Sequence, residues 1–224
     1  MEFKTWLNTN RQTLFCPGIP GAGKTILTSI VVANLRERFK DNTTVGVAYI
    51  YCNFRQQDKQ GIGDLLASLV KQLAQGQSSL PGSVTDLYNR HKEKQTQPSF
   101  DEISRTLQSV AAIYSTVFIV VDALDECQVS NGCRHRFLAE LFNLQVKCGA
   151  NLFVTSRPIS RIEKEFEGNT KLEIRASKED VQRYLEGHMF LLPGFVNQNP
   201  ELQKEIKTRI VKAIDGMYIF YFKH

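Results

Sequence analysis

No apolar run in the chain approaches the roughly eighteen residues needed to cross a bilayer, which excludes a helical membrane span. The N-terminus, Met1-Glu2-Phe3-Lys4-Thr5-Trp6, has no signal-peptide core. Cysteine is sparse: Cys16, Cys52, Cys127, Cys133 and Cys148 form an odd set scattered over 224 residues, unlike a disulfide framework. These absences set the expectation of a soluble protein in a reducing, cytoplasmic compartment. Cys127, Cys133 and His135 are close in sequence, but the spacing is not Cys-x-x-Cys and no second pair completes four ligands, so a structural or incidental role is expected. Charge is not concentrated either. Lys and Arg number 28 against 23 Asp and Glu, a net +5 without a block of like charge, and this gives nucleic-acid binding no specific support. There is no internal repeat. What is present, 224 residues with 42% hydrophobic content, is ample for a core and suits one large α/β domain, or one such domain with a small helical appendage.

Periodicity supplies the elements. Thr13 to Cys16 reads as a short strand ended by Pro17, and a helix is expected from about Lys24 to Lys40, with Ile26, Leu27, Ile30, Val31, Leu35 and Phe39 as its apolar stripe. Val45 to Phe54 reads as a second strand, and Ile62 to Ala74 as a helix. Two more helical stretches follow, Ser83 to Lys94 and Phe100 to Ile113. Val117 to Val121 is a continuous apolar run, typical of a strand buried on both faces. Arg136 to Val146 reads as a helix, Asn151 to Thr155 as a strand, and Lys171 to Ile174 as a last short strand. Such alternation predicts a five-stranded parallel sheet with helices on both faces. From Ser177 the pattern is helical only. Ser177 and Asp180 suggest a capping box, Asn199-Pro200 opens a further helix, and Gly216 closes it. The expected division is therefore residues 1–176 and 177–224.

Between the first strand and the first long helix, Gly18-Ile19-Pro20-Gly21-Ala22-Gly23-Lys24-Thr25 matches G-x-x-x-x-G-K-[ST]. Glycines at 18, 21 and 23 let the backbone aim successive N–H groups at a pyrophosphate, and the following helix adds its positive end. Lys24 is expected to reach the β- and γ-phosphates, and the Thr25 hydroxyl to complete the coordination of magnesium.

The end of the buried strand supplies the matching acids, Asp122-Ala123-Leu124-Asp125-Glu126. Asp122 is the expected magnesium-side carboxylate, and Asp125 or Glu126 could polarise the attacking water. A whole strand, Val45 to Phe54, intervenes between the loop and these acids, which favours the ATPase branch of phosphate-loop proteins. A GTPase-like Asp-x-x-Gly is absent, since Asp125 stands three after Asp122. Adenine is preferred to guanine. Arg157, in Thr155-Ser156-Arg157-Pro158, follows the next strand and is a candidate sensor of the γ-phosphate. A small-metabolite kinase would need a lid of arginines, and only Arg161 and Arg175 follow Arg157 in the stretch before the helices.

The loop, the Asp122-Ala123-Leu124-Asp125-Glu126 segment and Thr155-Ser156-Arg157-Pro158 together resemble the NACHT module of STAND-type P-loop NTPases. The similarity is to the nephrocystin-type subgroup, often joined to ankyrin or other repeats. It implies an ASCE/STAND fold and a switch that is closed with ADP and oligomeric with ATP and Mg2+. It also implies slow hydrolysis, with Asp125, Glu126 and Arg157 as catalytic residues. The implied partners are copies of the chain or other NACHT proteins, and the implied setting is signalling in self/non-self recognition, innate immunity and programmed cell death. Gly216-Met217-Tyr218-Ile219 falls where related switches carry a Gly-Leu-Pro-Leu-like element, with Tyr218 in place of its proline. The aromatic strip Met217 to Phe222 reads as an edge toward an absent winged-helix domain. The alternative is a non-hydrolysing nucleotide-binding scaffold or protein-interaction module.

Overall fold

The computed structural model describes residues 2–55, 60–128, 132–175 and 177–213, and of 212 and 213 only the backbone. The Gly216 to Ile219 element and the aromatic strip lie outside the described residues. Two compact units are formed. One comprises the described residues through Pro17 with Lys24–Leu172, and the other Gly18–Gly23 with the described residues from Glu173 onward.

The first unit is a parallel sheet of five strands: β1 (Thr13–Pro17), β2 (Val45–Tyr51), β3 (Thr116–Asp122), β4 (Asn151–Ser156) and β5 (Thr170–Lys171). They lie in the order β2-β3-β4-β1-β5. In space it is β4 that separates the strand leading into the loop from the acidic strand, whereas β2, which intervenes in sequence, lies at the edge. Helices α1 (Glu2–Asn8), α2 (Lys24–Arg38), α3 (Ile62–Gln75), α4 (Gly82–Lys94), α5 (Phe100–Ala111), α6 (Cys133–Cys148) and α7 (Ser160–Glu165) complete the unit.

Alternation along β3 shows why its sequence is apolar throughout. Val117, Ile119 and Val121 join a core with Leu66 and Leu69 of α3, Leu107 of α5 and Leu141 of α6. Phe118 points the other way, against Trp6 of α1 and Phe39 just after α2. With both faces covered, every second position must still be hydrophobic. Edge strand β2 is protected by a side chain: Gln72 accepts from Tyr49 N–H at 3.0 Å and donates to its carbonyl at 2.8 Å.

Several boundaries differ from expectation for physical reasons. Strand β2 stops at Tyr51, the residue paired with Asp122 where β3 itself ends. Strand β5 is shifted earlier than Lys171 to Ile174. Leu172 N–H still bonds to Phe15 O at 2.9 Å, but the next rung would need an N–H from Pro17, which has none. On α2 the buried positions are Thr28, Val31, Val32 and Leu35, while Ile26 and Ile30 are exposed. The expected stripe is therefore turned, and a threonine occupies the inner face. Helices α1 and α7 are additional to the elements expected.

In the second unit, α8 (Lys178–His188), the short α9 (Gly194–Asn197) and α10 (Pro200–Ala213) follow one another. Ser177 and Asp180 form the capping box of α8, with Asp180 N–H on Ser177 Oγ at 3.0 Å. Asn199 Oδ1 caps α10 by accepting from Leu202 N–H at 3.0 Å. Val181 and Leu185 of α8 bury against Ile210 and Val211 of α10.

Candidate functional site

Strand β3 ends in Asp122, a carboxylate only 2% exposed. A buried carboxylate must be satisfied by hydrogen bonds, and hydroxyl groups supply them here. Thr25 Oγ donates to Asp122 Oδ2 at 2.7 Å, joining the last residue of the loop motif to the end of the acidic strand. Thr28 Oγ, one turn further along α2, lies 2.8 Å from Oδ1, and Thr155 Oγ of β4 lies 2.7 Å from the same atom.

Lys24 is half-buried. Burial pulls its ammonium below the ordinary lysine range, opposed by the negative charges of Asp125, Asp122 and Glu126, while Arg157 lowers it further. Lysine, threonine and all three acids thus belong to one electrostatic neighbourhood.

The acids divide their tasks. Asp125 has a side chain only 2% exposed, and Arg157 engages both its oxygens: the Arg157 N–H at 2.8 Å and Nε at 2.5 Å. Burial alone would raise the Asp125 pKa, but the hydrogen bonds and charge of Arg157 hold it below the ordinary aspartate range. Glu126 accepts from Phe54 N–H at 3.3 Å. Both sit on a single 3-10 turn, Leu124–Glu126, that follows Ala123, whose φ of 51° is left-handed.

Of the loop motif, Gly18–Gly23 belong to the second unit, and Lys24 and Thr25 to the first. Gly21 and Gly23 have φ of 77° and 87°, a region where a Cβ is strained, and Ala22 N–H turns back onto Ile19 O at 3.1 Å. Gly18 is fixed for a different reason: a Cβ there would come within 2.8 Å of the Ile174 carbonyl oxygen.

Sequence reasoning located Lys24, Thr25, Asp122, Asp125, Glu126 and Arg157 but passed over Thr28 and Thr155. Both are 0% exposed, and a polar residue within a buried strand or on the inner face of a helix is itself the signal. Cys127 and Cys133 are buried thiols of the hydrophobic core, as is Cys52. His135 is exposed and pairs with Glu165 at 3.2 Å. Among the described residues no group of three or more His, Cys, Asp and Glu is arranged to hold a metal by itself. Magnesium asks less of a protein, since one or two carboxylates and substrate phosphates suffice. The hard oxygen atoms of Thr25 and Asp122 fit that requirement.

Comparison with known proteins adds the family. The family model described as Nephrocystin 3, N-terminal, matches residues 1–157, well over half of the chain. The chain belongs to this family. The match to the nephrocystin 3 N-terminal family takes in the loop, the acidic turn and Arg157. No curated protein matches the chain. Among solved structures, the chain is similar to the Aeropyrum pernix ORC1 protein in complex with DNA, with TM-score 0.57, 17% identity, and coverage of 86% of this chain and 48% of that one. It is also similar to the Walker-type ATPase paby2304 of Pyrococcus abyssi, with TM-score 0.55, 14% identity, and coverage of 96% and 62%. For the Aeropyrum pernix ORC2 protein in ADPNP and ADP complexes the values are 0.52, 14%, 82% and 48%. The chain thus spans about half the length of the two ORC proteins and less than two thirds of the ATPase. At these identities the similarity establishes the fold, that of P-loop NTPases. No helix among the described residues is long and apolar enough to cross a membrane.

Proposed function

We propose that this chain is an ATP- and ADP-binding module of the NACHT type, a nucleotide-dependent switch with slow magnesium-dependent hydrolysis that drives assembly with like modules. The observation that carries the reading is the 2.7 Å bond from Thr25 to Asp122, because it joins the last residue of the motif to the end of the acidic strand. In this reading the loop from Gly18 to Gly23 offers backbone N–H groups to the phosphates, and Lys24 binds the β- and γ-phosphates. Thr25 and Asp122 hold magnesium, which when bound neutralises phosphate charge and orients the γ-phosphate. Glu126 accepts the proton of the attacking water. Asp125 has a different part, since both its oxygens are engaged by Arg157. It keeps the guanidinium beside the acidic turn, from which a γ-phosphate could draw it.

The test is nucleotide affinity in Lys24→Ala. Loss of a charge-assisted contact should weaken ATP binding about a hundredfold, and unchanged affinity would overturn the site. The commitment of Asp125 to Arg157 also favours a second reading, a scaffold that binds nucleotide without turning it over. Glu126→Gln separates the two: it abolishes phosphate release from a hydrolase and changes nothing in a scaffold.

A further inference from the structure

Asp122 is held more firmly than contact with the loop alone requires. An ionised carboxylate oxygen accepts in about two directions. With Thr28 Oγ at 2.8 Å and Thr155 Oγ at 2.7 Å, Oδ1 has two hydroxyl partners, whereas Oδ2 has the Thr25 hydroxyl as its hydroxyl partner among the described residues. Thr28 Oγ also lies 3.0 Å from Lys24 O, so its single proton has two acceptors.

Among the described residues Thr155 has no such competition. Its proton goes to Asp122, and its oxygen accepts from Ala123 N–H at 2.9 Å. One hydroxyl therefore fixes the side chain of residue 122 and the backbone of residue 123, the left-handed residue that launches the turn bearing Asp125 and Glu126. Thr155 is fully buried, so water does not stand in for it. Two residues later Arg157 grips Asp125, and the tip of β4 thereby holds both the metal-side acid and the acidic turn.

We infer that Thr155 is a positioning residue for the magnesium–nucleotide complex: it locks Asp122 so that Oδ2 faces the metal, and it sets the direction of the acidic turn. The inference rests on the nucleotide-binding reading above. It requires a group that donates and accepts at once, as serine does and valine, of the same shape as threonine, does not.

The experiment titrates magnesium into each protein with a fluorescent ATP analogue, and repeats the binding in EDTA. Thr155→Val should raise the magnesium concentration for half-maximal binding about tenfold, with metal-free affinity within about twofold of wild type, because supporting partners of a metal ligand typically contribute on this scale. Thr155→Ser should titrate like wild type. A wild-type midpoint in Thr155→Val overturns the inference, and so does an equal shift in Thr155→Ser, which would mean that packing rather than the hydroxyl matters. Should Thr155→Val not fold, Thr155→Ala removes the same hydroxyl without putting a methyl group in its place. A midpoint raised about tenfold supports the assignment and an unchanged one overturns it. If wild type binds the analogue without any response to magnesium, the reading of the site itself falls and this inference with it.

Discussion

Asp125 and Arg157 are a buried carboxylate and a guanidinium half open to water, and that asymmetry decides what their removal does. Arg157→Ala strands Asp125 without its cation. A fully buried partner would make the loss several kcal/mol, but solvent at the guanidinium reduces it to about 1–2 kcal/mol. Adding Asp125→Asn removes the stranded charge, so the double variant should regain much of that stability. If Arg157 is the γ-phosphate sensor proposed above, discrimination of ATP from ADP should not return, because its guanidinium is still missing. Calorimetric titration with both nucleotides checks this, and a retained ATP preference in Arg157→Ala would remove the sensor role. Acid supplies a second readout. Since Asp125 titrates below its ordinary value of 3.8, the stability it lends is fully present above that pH and lost as pH falls through its lower folded value. The double variant lacks this source of acid sensitivity.

Helix α1 shows how one side chain fastens an element. Asn151, the first residue of β4, donates to Trp6 O at 2.9 Å and Thr9 O at 2.8 Å, and accepts from Gln12 N–H at 3.0 Å. Trp6 Nε1 returns a bond to Leu152 O at 2.9 Å. Asn151→Ala leaves one buried and two part-buried backbone groups without this partner and should cost about 2 kcal/mol in urea unfolding, whereas a surface asparagine would change stability by less than about 0.5 kcal/mol. None of this was legible locally. An asparagine 142 residues from Thr9 in the chain gives no sign of where its amide will point. Likewise β2 ends where its partner ends and β5 where Pro17 removes a rung, so length was set by neighbours that periodicity does not see. What was legible had a local cause: the apolar run of β3, buried on both faces, the capping box at Ser177, and the spacing of the glycines before Lys24. Within the site, charge and glycine announced themselves, but Thr28 and Thr155 did not. A threonine is ordinary until burial shows that its hydroxyl has a partner.

At the scale of the molecule, the loop belongs to the same compact unit as the helices after Glu173. Gly18 abuts the Ile174 carbonyl so closely that a methyl group would need that backbone to move. Three residues beyond Ile174, Ser177 caps α8, and α8 in turn buries Val181 and Leu185 against α10. Phosphates that immobilise the loop should therefore restrain the entry to these helices. The size of the effect is bounded by linkage: at a nucleotide concentration a hundred times its Kd, binding stabilises by about 2.7 kcal/mol, so amide exchange in α8 can slow by at most about a hundredfold. Hydrogen exchange with and without magnesium and ATP measures it. Protection rising in α8 and α10 is the expected outcome, and unaltered exchange there at saturating nucleotide would show that the loop and the helices do not communicate. Gly18→Ala sharpens the test. If it still binds ATP, its α8 should exchange at a rate independent of nucleotide, because the added methyl separates Ile174 from the loop while Lys24, Thr25 and Asp122 are untouched.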